Sequence, residues 1–592
     1  MKKVYILLLL TLIGVSTTIN TVGPVLKYDK EATIDKSIFE DVSKGLLNSV
    51  LDMIGGALSV AEDVAHSVLS PVQSLIKQYE PAIIDNPYQG IPATVRCGEP
   101  ICDLELAFRD LRFPKVKAAQ ERLLGMTLKD EDVLEVAFAC SGGGWRAMCC
   151  SLGSCLGAEK IGLLDATMYV SALSGSTWFL GPWLASGMDL TTYKQRALEV
   201  ASQGIDLRSI SDVGPMIDNL WVKFAYNQPL NIIDLYGGLL GNALLRDLGK
   251  DCHAVYLSDQ KTALIDGDLP MPIHTATLGE RRKAEFWFEF TPYEVGSRWL
   301  CSYVPTWAFG RHFKKGKSLN DAPEQSLGFF MGIYGSAFAA DFEDVYDIIL
   351  DGIEFPSFLK NVPFAETIFK AIKKVFSKMA YASDLGDIRV AWSRVPNFVY
   401  KMHGVPHNNY KELKLVDAGL DFNNPVFSTY RKPPFGDAPD IIFIFDAGSS
   451  GGSYEEMKRL VNYAKYNGIK FPKIDYFEPG KQIMSIFKDD DDLDVPVVVY
   501  MPRINGFSHV QKSRYRAWYD YYLELLDDFD MEKAVSSGFA TTFNFDYTKQ
   551  QAEQLMAATE FNIVYVAEKV KEIMAERITA RRELRRRKEN KK

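Results

Sequence analysis

From about Ile38 to Tyr79 apolar residues return every three or four positions: Phe39, Val42, Leu46, Val50, Ile54, Ala57, Ala61, Val64, Val68 and Val72. That spacing predicts amphipathic helix, interrupted at Gly55-Gly56 and kinked at Pro71. Region 30–90 therefore reads as a helical unit, either a hairpin packed on the main body or an interfacial membrane helix. The Pro-containing connection from Pro81 to Pro92 marks a domain boundary. Beyond it, to about Glu572, the pattern changes. Short β-branched and aromatic runs alternate with amphipathic stretches, and Val133–Cys140, Thr167–Leu173, Ile441–Phe445 and Val495–Tyr500 read as strands. The alternation predicts an α/β domain whose central sheet is flanked by helices. No internal repeat is visible.

Composition narrows the class. Of 592 residues, 47% are hydrophobic and 24% charged, ordinary globular usage that excludes collagen, a coiled coil and a multi-span membrane protein. The formal charge is −9, yet Arg577 to Lys592 holds nine Lys/Arg and only two Glu, so the body is strongly acidic. An acidic body argues against nucleic acid as a partner. The basic C-terminal segment, 577–592, suits either a solvated helix end or attraction to anionic lipid. At the other end, Lys2 and Lys3 precede an apolar run from Val4 to Val15, too short for a comfortable span and suited to a signal-peptide core. Residues 1–22 are thus expected to be a signal peptide or N-terminal anchor. Export or membrane association follows, with a cytosolic protein as the alternative. Eight Cys with no CxxC pair exclude a zinc site and a disulfide scaffold. Cys149, Cys150 and Cys155 read as small apolar thiols of a buried helix. The acidic run Lys488 to Asp494 lacks the Gly and terminal Glu of an EF-hand loop and reads as a solvated loop.

Candidate chemistry begins after the strand VLEVAFAC, at Ser141-Gly142-Gly143-Gly144-Trp145-Arg146-Ala147. Three glycines between a buried strand and a helix let backbone N–H groups face outward and attract an anion. Two readings follow. Gly142-x-Gly144-x-x-Ala147, with Asp165 at the distance of a ribose acid, fits dinucleotide binding. Alternatively the amides form an oxyanion hole. Arg146 adds a fixed cation suited to a phosphate in either case.

The second motif is Ala172-Leu173-Ser174-Gly175-Ser176. A small residue two before a Ser and a Gly after it allow a sharp strand-to-helix turn that exposes the hydroxyl at a helix N-terminus. Alone it is a common helix cap. About 30 residues after a glycine loop, it reads as a nucleophile beside an oxyanion hole, a turn that a dinucleotide fold does not need. The base is open between His509, in a Ser-acid-His order, and Asp417, which ends the apolar run Lys414-Leu415-Val416 and precedes small residues.

These blocks together resemble the catalytic domain of the group IV cytosolic phospholipases A2, related to patatins and fungal lysophospholipases. The resemblance rests on CSGGGWRAM at 140–148, LSGSTW at 173–178, EFTPYEVG at 289–296, MGIYGSAF at 331–338 and VDAGLDFNNP at 416–425. It covers most of Val95 to Glu572. It implies a Ser-Asp dyad of Ser174 and Asp417, oxyanion amides from Gly143 and Gly144, and Arg146 on the lipid phosphate. The family's nucleophile motif usually opens with Gly where this chain has Ala172. The resemblance also implies a phospholipid membrane or micelle surface as partner, with no cofactor, no metal and no protein partner. On this reading 91–576 is the catalytic domain, and segments between Leu190 and Ala340 supply a cap. Phe286-Trp287-Phe288 and Arg311, Lys314, Lys315 and Lys317 are candidates to meet a membrane. The expected activity is hydrolysis of a fatty-acyl ester of a glycerophospholipid. Alternatives are a lysophospholipase or broad lipid esterase with the same dyad, a catalytically dead lipid-binding protein, and a dinucleotide-dependent oxidoreductase.

Overall fold

The computed structural model describes residues 86–590 apart from 205–218, 220–221, 224, 230–231, 249–250, 280–286, 340–391, 421, 432–436, 450–452, 511–518 and 543. The signal-like segment 1–22 and nearly all of the helical region 30–90 lie outside the described residues. Five parallel strands form the centre of a mixed sheet: β1 (Val136–Cys140), β2 (Tyr169–Leu173), β3 (Met271–Leu278), β5 (Ile441–Asp446) and β6 (Val497–Pro502). Their spatial order is β6-β5-β1-β2-β3. Between β3 and β5 in the chain, β4 (Glu412–Val416) pairs antiparallel with the C-terminal tip of β3, Leu415 opposite Leu278 and Val416 opposite Thr277. An antiparallel wing of Trp287–Phe290, Glu294–Ser297, Ser302–Pro305 and Arg96–Cys97 extends the sheet beyond β3.

The strand sequences explain this placement. Every residue of β1, β2, β5 and β6 is buried. Parallel strands covered by helices on both faces read as continuous apolar runs, as VAFAC and IIFIF do. β1 starts later than its apolar run because the N–H groups of Leu134 and Glu135 are taken by Gln120 Oε1 (2.9 Å) and Asp440 Oδ2 (2.8 Å). Because β1-β2-β3 winds one way and β5-β6 the other, the strand order reverses between β1 and β5. In such sheets ligands sit at the carboxyl ends of the strands at that crevice.

Helix α1 (Gly144–Lys160) leaves the glycine loop and is buried from Gly144 to Ala158. Its small residues let α4 (Lys549–Tyr565) approach closely, and a Cβ on Gly157 would stand 2.7 Å from Glu560 O. Cys149, Cys150 and Cys155 are buried there, and burial pushes the Cys150 thiol up to about 11. Helix α2 (Thr177–Ser186) follows the 3₁₀ turn Ser174–Ser176. α3 (Leu327–Tyr334) leads into the turn Ser336–Ala339.

The final helix, α5 (Ala567–Glu589), crosses the opposite, N-terminal edge of β1, β5 and β6. Arg577 is buried and donates to Val495 O at 2.8 Å, Arg581 pairs with Asp440 at 3.0 Å, and Arg582 and Arg585 both bind Asp132. Much of the basic C-terminal segment is therefore bound to the sheet.

Trp287 and Phe288 belong to the core, and Arg311 is buried against Tyr88 O, Ile91 O and Ala322 O. Lys314, Lys315 and Lys317 are exposed on a hairpin. The acidic run closes on Lys470, whose Nζ meets Asp492 at 2.9 Å and Asp494 at 2.7 Å. Among the described residues no helix is long and apolar enough to cross a membrane.

Candidate active site

The end of β2 places Ser174 at the carboxyl edge of the sheet. Its φ of +49° is a left-handed conformation that a non-glycine residue adopts only when its surroundings enforce it. Ser176 enforces it in part: its hydroxyl donates to Ser141 O and meets Ser151 Oγ at 2.7 Å. The turn lifts Ser174 Oγ out of the strand toward the loop that β4 delivers. There Ser174 Oγ donates to Asp417 Oδ2 at 2.8 Å. Both residues are buried, 3% and 1% exposed.

Asp417 is held at two further points. Its Oδ1 accepts Gly419 N–H at 2.8 Å, and its own N–H donates to Ser336 Oγ at 2.8 Å. The carboxylate is thereby aimed with one oxygen left for Ser174. His509, the other candidate base, is exposed at the end of a 3₁₀ turn and lines a separate surface cavity with Asp527, Asp528 and Asp530.

The glycine loop lies against this pair. Gly143 (φ +139°) and Gly144 (φ +62°) take conformations that side-chain-bearing residues avoid. A Cβ on Gly142 would stand 2.9 Å from Ser174 Cβ, and one on Gly175 would overlap the Gly144 backbone. The loop and the nucleophile turn are thus in backbone contact, which only glycine permits. Gly143 and Gly144 open α1, so their amides share the positive end of a helix.

Arg146 is buried in the first turn of α1. It donates to Ala447 O and Ala540 O, each at 2.7 Å, and to Thr542 Oγ1 at 3.2 Å. Burial lowers its guanidinium to about 10. Its donors thus bind the protein itself, and the group sits behind the loop. Ala172 is tolerated: its methyl is buried, and its carbonyl accepts Thr275 Oγ1 at 3.0 Å.

Four partners of the site went unread in the sequence. Ser336 and Asn423 lie within MGIYGSAF and VDAGLDFNNP, so their blocks were visible but their contacts were not. Asp446 ends β5 and, buried, accepts Ser141 Oγ (3.3 Å), Gly448 N–H (2.7 Å) and Tyr500 O–H (3.2 Å). Ser176 stands in the quoted motif, but its bonds to Ser141 O and Ser151 Oγ had no local signal. Among the described residues no cluster of His, Cys, Asp and Glu has the arrangement of a metal site.

Residues 136–456, more than half of the chain, match the family model of the lysophospholipase catalytic domain. The chain belongs to this family. Among curated relatives, human cytosolic phospholipase A2 zeta is 29% identical over 470 residues, covering 69% of this chain and 54% of the relative. Mouse cytosolic phospholipase A2 delta is 26% identical over 469 residues, covering 70% and 55%. This family member spans about half the length of the curated relatives it matches. Among solved structures, human GIVD cytosolic phospholipase A2 superposes with a TM-score of 0.66 at 22% identity, covering 82% of this chain and 66% of that one. The same protein in complex with methyl gamma-linolenyl fluorophosphonate gives 0.63. These likenesses bear out the mixed α/β fold. The expectation of export or of membrane association through an N-terminal hydrophobic segment is corrected. The matching relatives are cytosolic phospholipases by name, which supports the cytosolic alternative over export.

Proposed function

We propose that this chain is a serine hydrolase that cleaves fatty-acyl esters of phospholipids and lysophospholipids in the cytosol. The observation that carries the reading is the 2.8 Å bond from the Ser174 hydroxyl to the Asp417 carboxylate, made by a left-handed residue in backbone contact with a glycine loop. The phospholipid class rests on family membership and on the relatives' names.

In this reading Asp417 accepts the proton of Ser174 as its Oγ attacks the ester carbonyl carbon. The carbonyl oxygen becomes an oxyanion beside the N–H groups of Gly143 and Gly144, fixed in place before the reaction begins. Collapse breaks the ester C–O bond, and Asp417 returns the proton to the departing alkoxide. Water, deprotonated by Asp417, then attacks the acyl-Ser174 carbonyl carbon, the C–Oγ bond breaks to release the fatty acid, and Asp417 returns the proton to Ser174 Oγ. No step calls on a cofactor or a metal. In this reading Arg146, expected on the lipid phosphate, acts instead as a brace behind the loop, which its three protein-oxygen partners support.

Product analysis of phosphatidylcholine and lysophosphatidylcholine incubated with the purified chain tests the reading. Ser174→Ala and Asp417→Ala should each abolish fatty-acid release, and the double variant should be no worse, because the two side chains act as one unit. Full turnover by the Ser174→Ala variant would sink it.

A further inference from the structure

A loop of three consecutive glycines has little stiffness of its own, so its geometry must come from its neighbours. Ser141 is held by the Asp446 carboxylate, by the Ala447 N–H at 2.7 Å and by Ser176. Arg146 braces the helix that follows. At Gly142, besides a long bond from its neighbour Ser141 Oγ to Gly142 O (3.5 Å), the hold comes from Asn423. The Gly142 N–H donates to Asn423 Oδ1 at 3.1 Å and to Asn423 O at 3.3 Å, and Gly142 O accepts Asn423 Nδ2 at 3.4 Å. Side-chain amide and backbone amide are paired on both edges.

Asn423 also stands on the segment that carries the base. It follows Asp417 by six residues, and its Oδ1 lies 3.4 Å from where a Cβ on Gly419 would stand. Gly419 is the residue whose N–H holds Asp417 Oδ1. One half-buried side chain is therefore wedged between the turn that orients the carboxylate and the loop that carries the Gly143 and Gly144 amides.

We infer that Asn423 is a positioning residue that sets the distance between the oxyanion donors and the Ser174–Asp417 pair. This rests on the proposed hydrolase reading. The loop's donors are drawn on only when charge develops on the carbonyl oxygen, so misplacing them slows turnover without weakening substrate binding. The amide is specifically required. A carboxylate at 423 still accepts from Gly142 N–H, but it faces Gly142 O without a hydrogen and sets a negative charge near the oxyanion. Protonating it restores a donor and removes the charge.

The test measures kcat and KM on micellar phosphatidylcholine between pH 5 and 8 for wild type, Asn423→Ala, Asn423→Asp and Ser174→Ala, with melting curves for each. Asn423→Ala should lose about 10²-fold in kcat, the scale of one misplaced oxyanion donor, with KM within about twofold. Asn423→Asp should lose at least as much at pH 8, and its kcat relative to wild type should rise as the pH falls. A purely structural role predicts a constant ratio, and that result would overturn the inference, as would an unchanged kcat in Asn423→Ala or a loss confined to KM. If Asn423→Ala does not fold, the pH course of the near-isosteric Asn423→Asp decides alone. Full activity in Ser174→Ala sinks the hydrolase reading itself. Inactive Ser174→Ala beside fully active Asn423 variants sinks only the positioning role.

Discussion

The two ends of the central strands both gather arginines, half-buried at one end and buried at the other, and they use them differently. At the N-terminal edge Arg581, Arg582 and Arg585 meet two carboxylates, Asp440 and Asp132, which offset most of their charge. At the carboxyl edge Arg146 spends its donors on the carbonyls of Ala447 and Ala540 and on Thr542, whereas its neighbour Arg503 binds Gly448 O at 2.7 Å and also meets the exposed carboxylate of Glu532 at 3.1 Å. Carbonyls satisfy a guanidinium's hydrogens without neutralising it. One edge is a clamp. The other keeps fixed positive charge behind a loop where the proposed chemistry makes an anion, and a charge held in a dry site acts more strongly than one in water.

Breaking the carboxyl edge should have the largest effect. Arg146→Ala leaves buried carbonyls unsatisfied and frees the glycine loop, so turnover should fall roughly 10²-fold, about 3 kcal/mol. A brace predicts equal losses on a phospholipid and on a neutral aryl ester, compared in one assay. A loss confined to the phospholipid would instead give Arg146 the phosphate contact that its position in the motif first suggested.

The next effect concerns pH. His274 lies in β3 opposite Ala172, fully buried and stacked on Tyr334 at 5.3 Å. Burial lowers its imidazole to about 3, so it stays neutral in the folded protein while the unfolded chain takes up a proton near pH 6.5. Stability from this group is therefore complete above pH 6.5 and is lost as pH falls toward the folded value. Urea unfolding at pH 7 and pH 5 should differ by about 2 kcal/mol from His274, and His274→Gln should narrow that difference.

At the opposite edge the expected effect is smaller and of another kind. Asp132→Asn removes the partner of Arg582 and Arg585, which are 38% and 30% exposed, so the loss should be about 1 kcal/mol and should shrink with salt. Turnover per folded molecule should not change. A drop in kcat with the same melting temperature would show that the clamp reaches the site. Least of all, His509→Ala should leave turnover within about twofold of wild type, since Ser174 Oγ is committed to Asp417. Strong loss in that variant, with folding intact, would restore a three-residue triad.

How much of the site was legible varies by residue. Ser174, Asp417 and the three glycines stood out because strand-to-turn geometry demands small residues at fixed spacings, a local property. Asn423, Ser336 and Asp446 were silent because an amide, a hydroxyl and a carboxylate near a turn have many local uses. Their part in the site depends on partners 281, 81 and 305 residues away. The C-terminal arginines misled in the same way: a basic helical run looks alike whether it faces lipid or buried aspartates.

The apolar runs of four of the five central strands and the two glycine-bearing turns were enough, by themselves, to set an α/β sheet with a candidate nucleophile at a strand end. Periodicity and turn chemistry are written within a dozen residues. Which side chain stands within hydrogen-bond reach of Ser174, what holds the glycine loop and which oxygens Arg146 meets were decided only when β4 folded back onto β3 and β5 settled beside β1. Those choices depend on distances between segments far apart in the chain, and no local pattern encodes them.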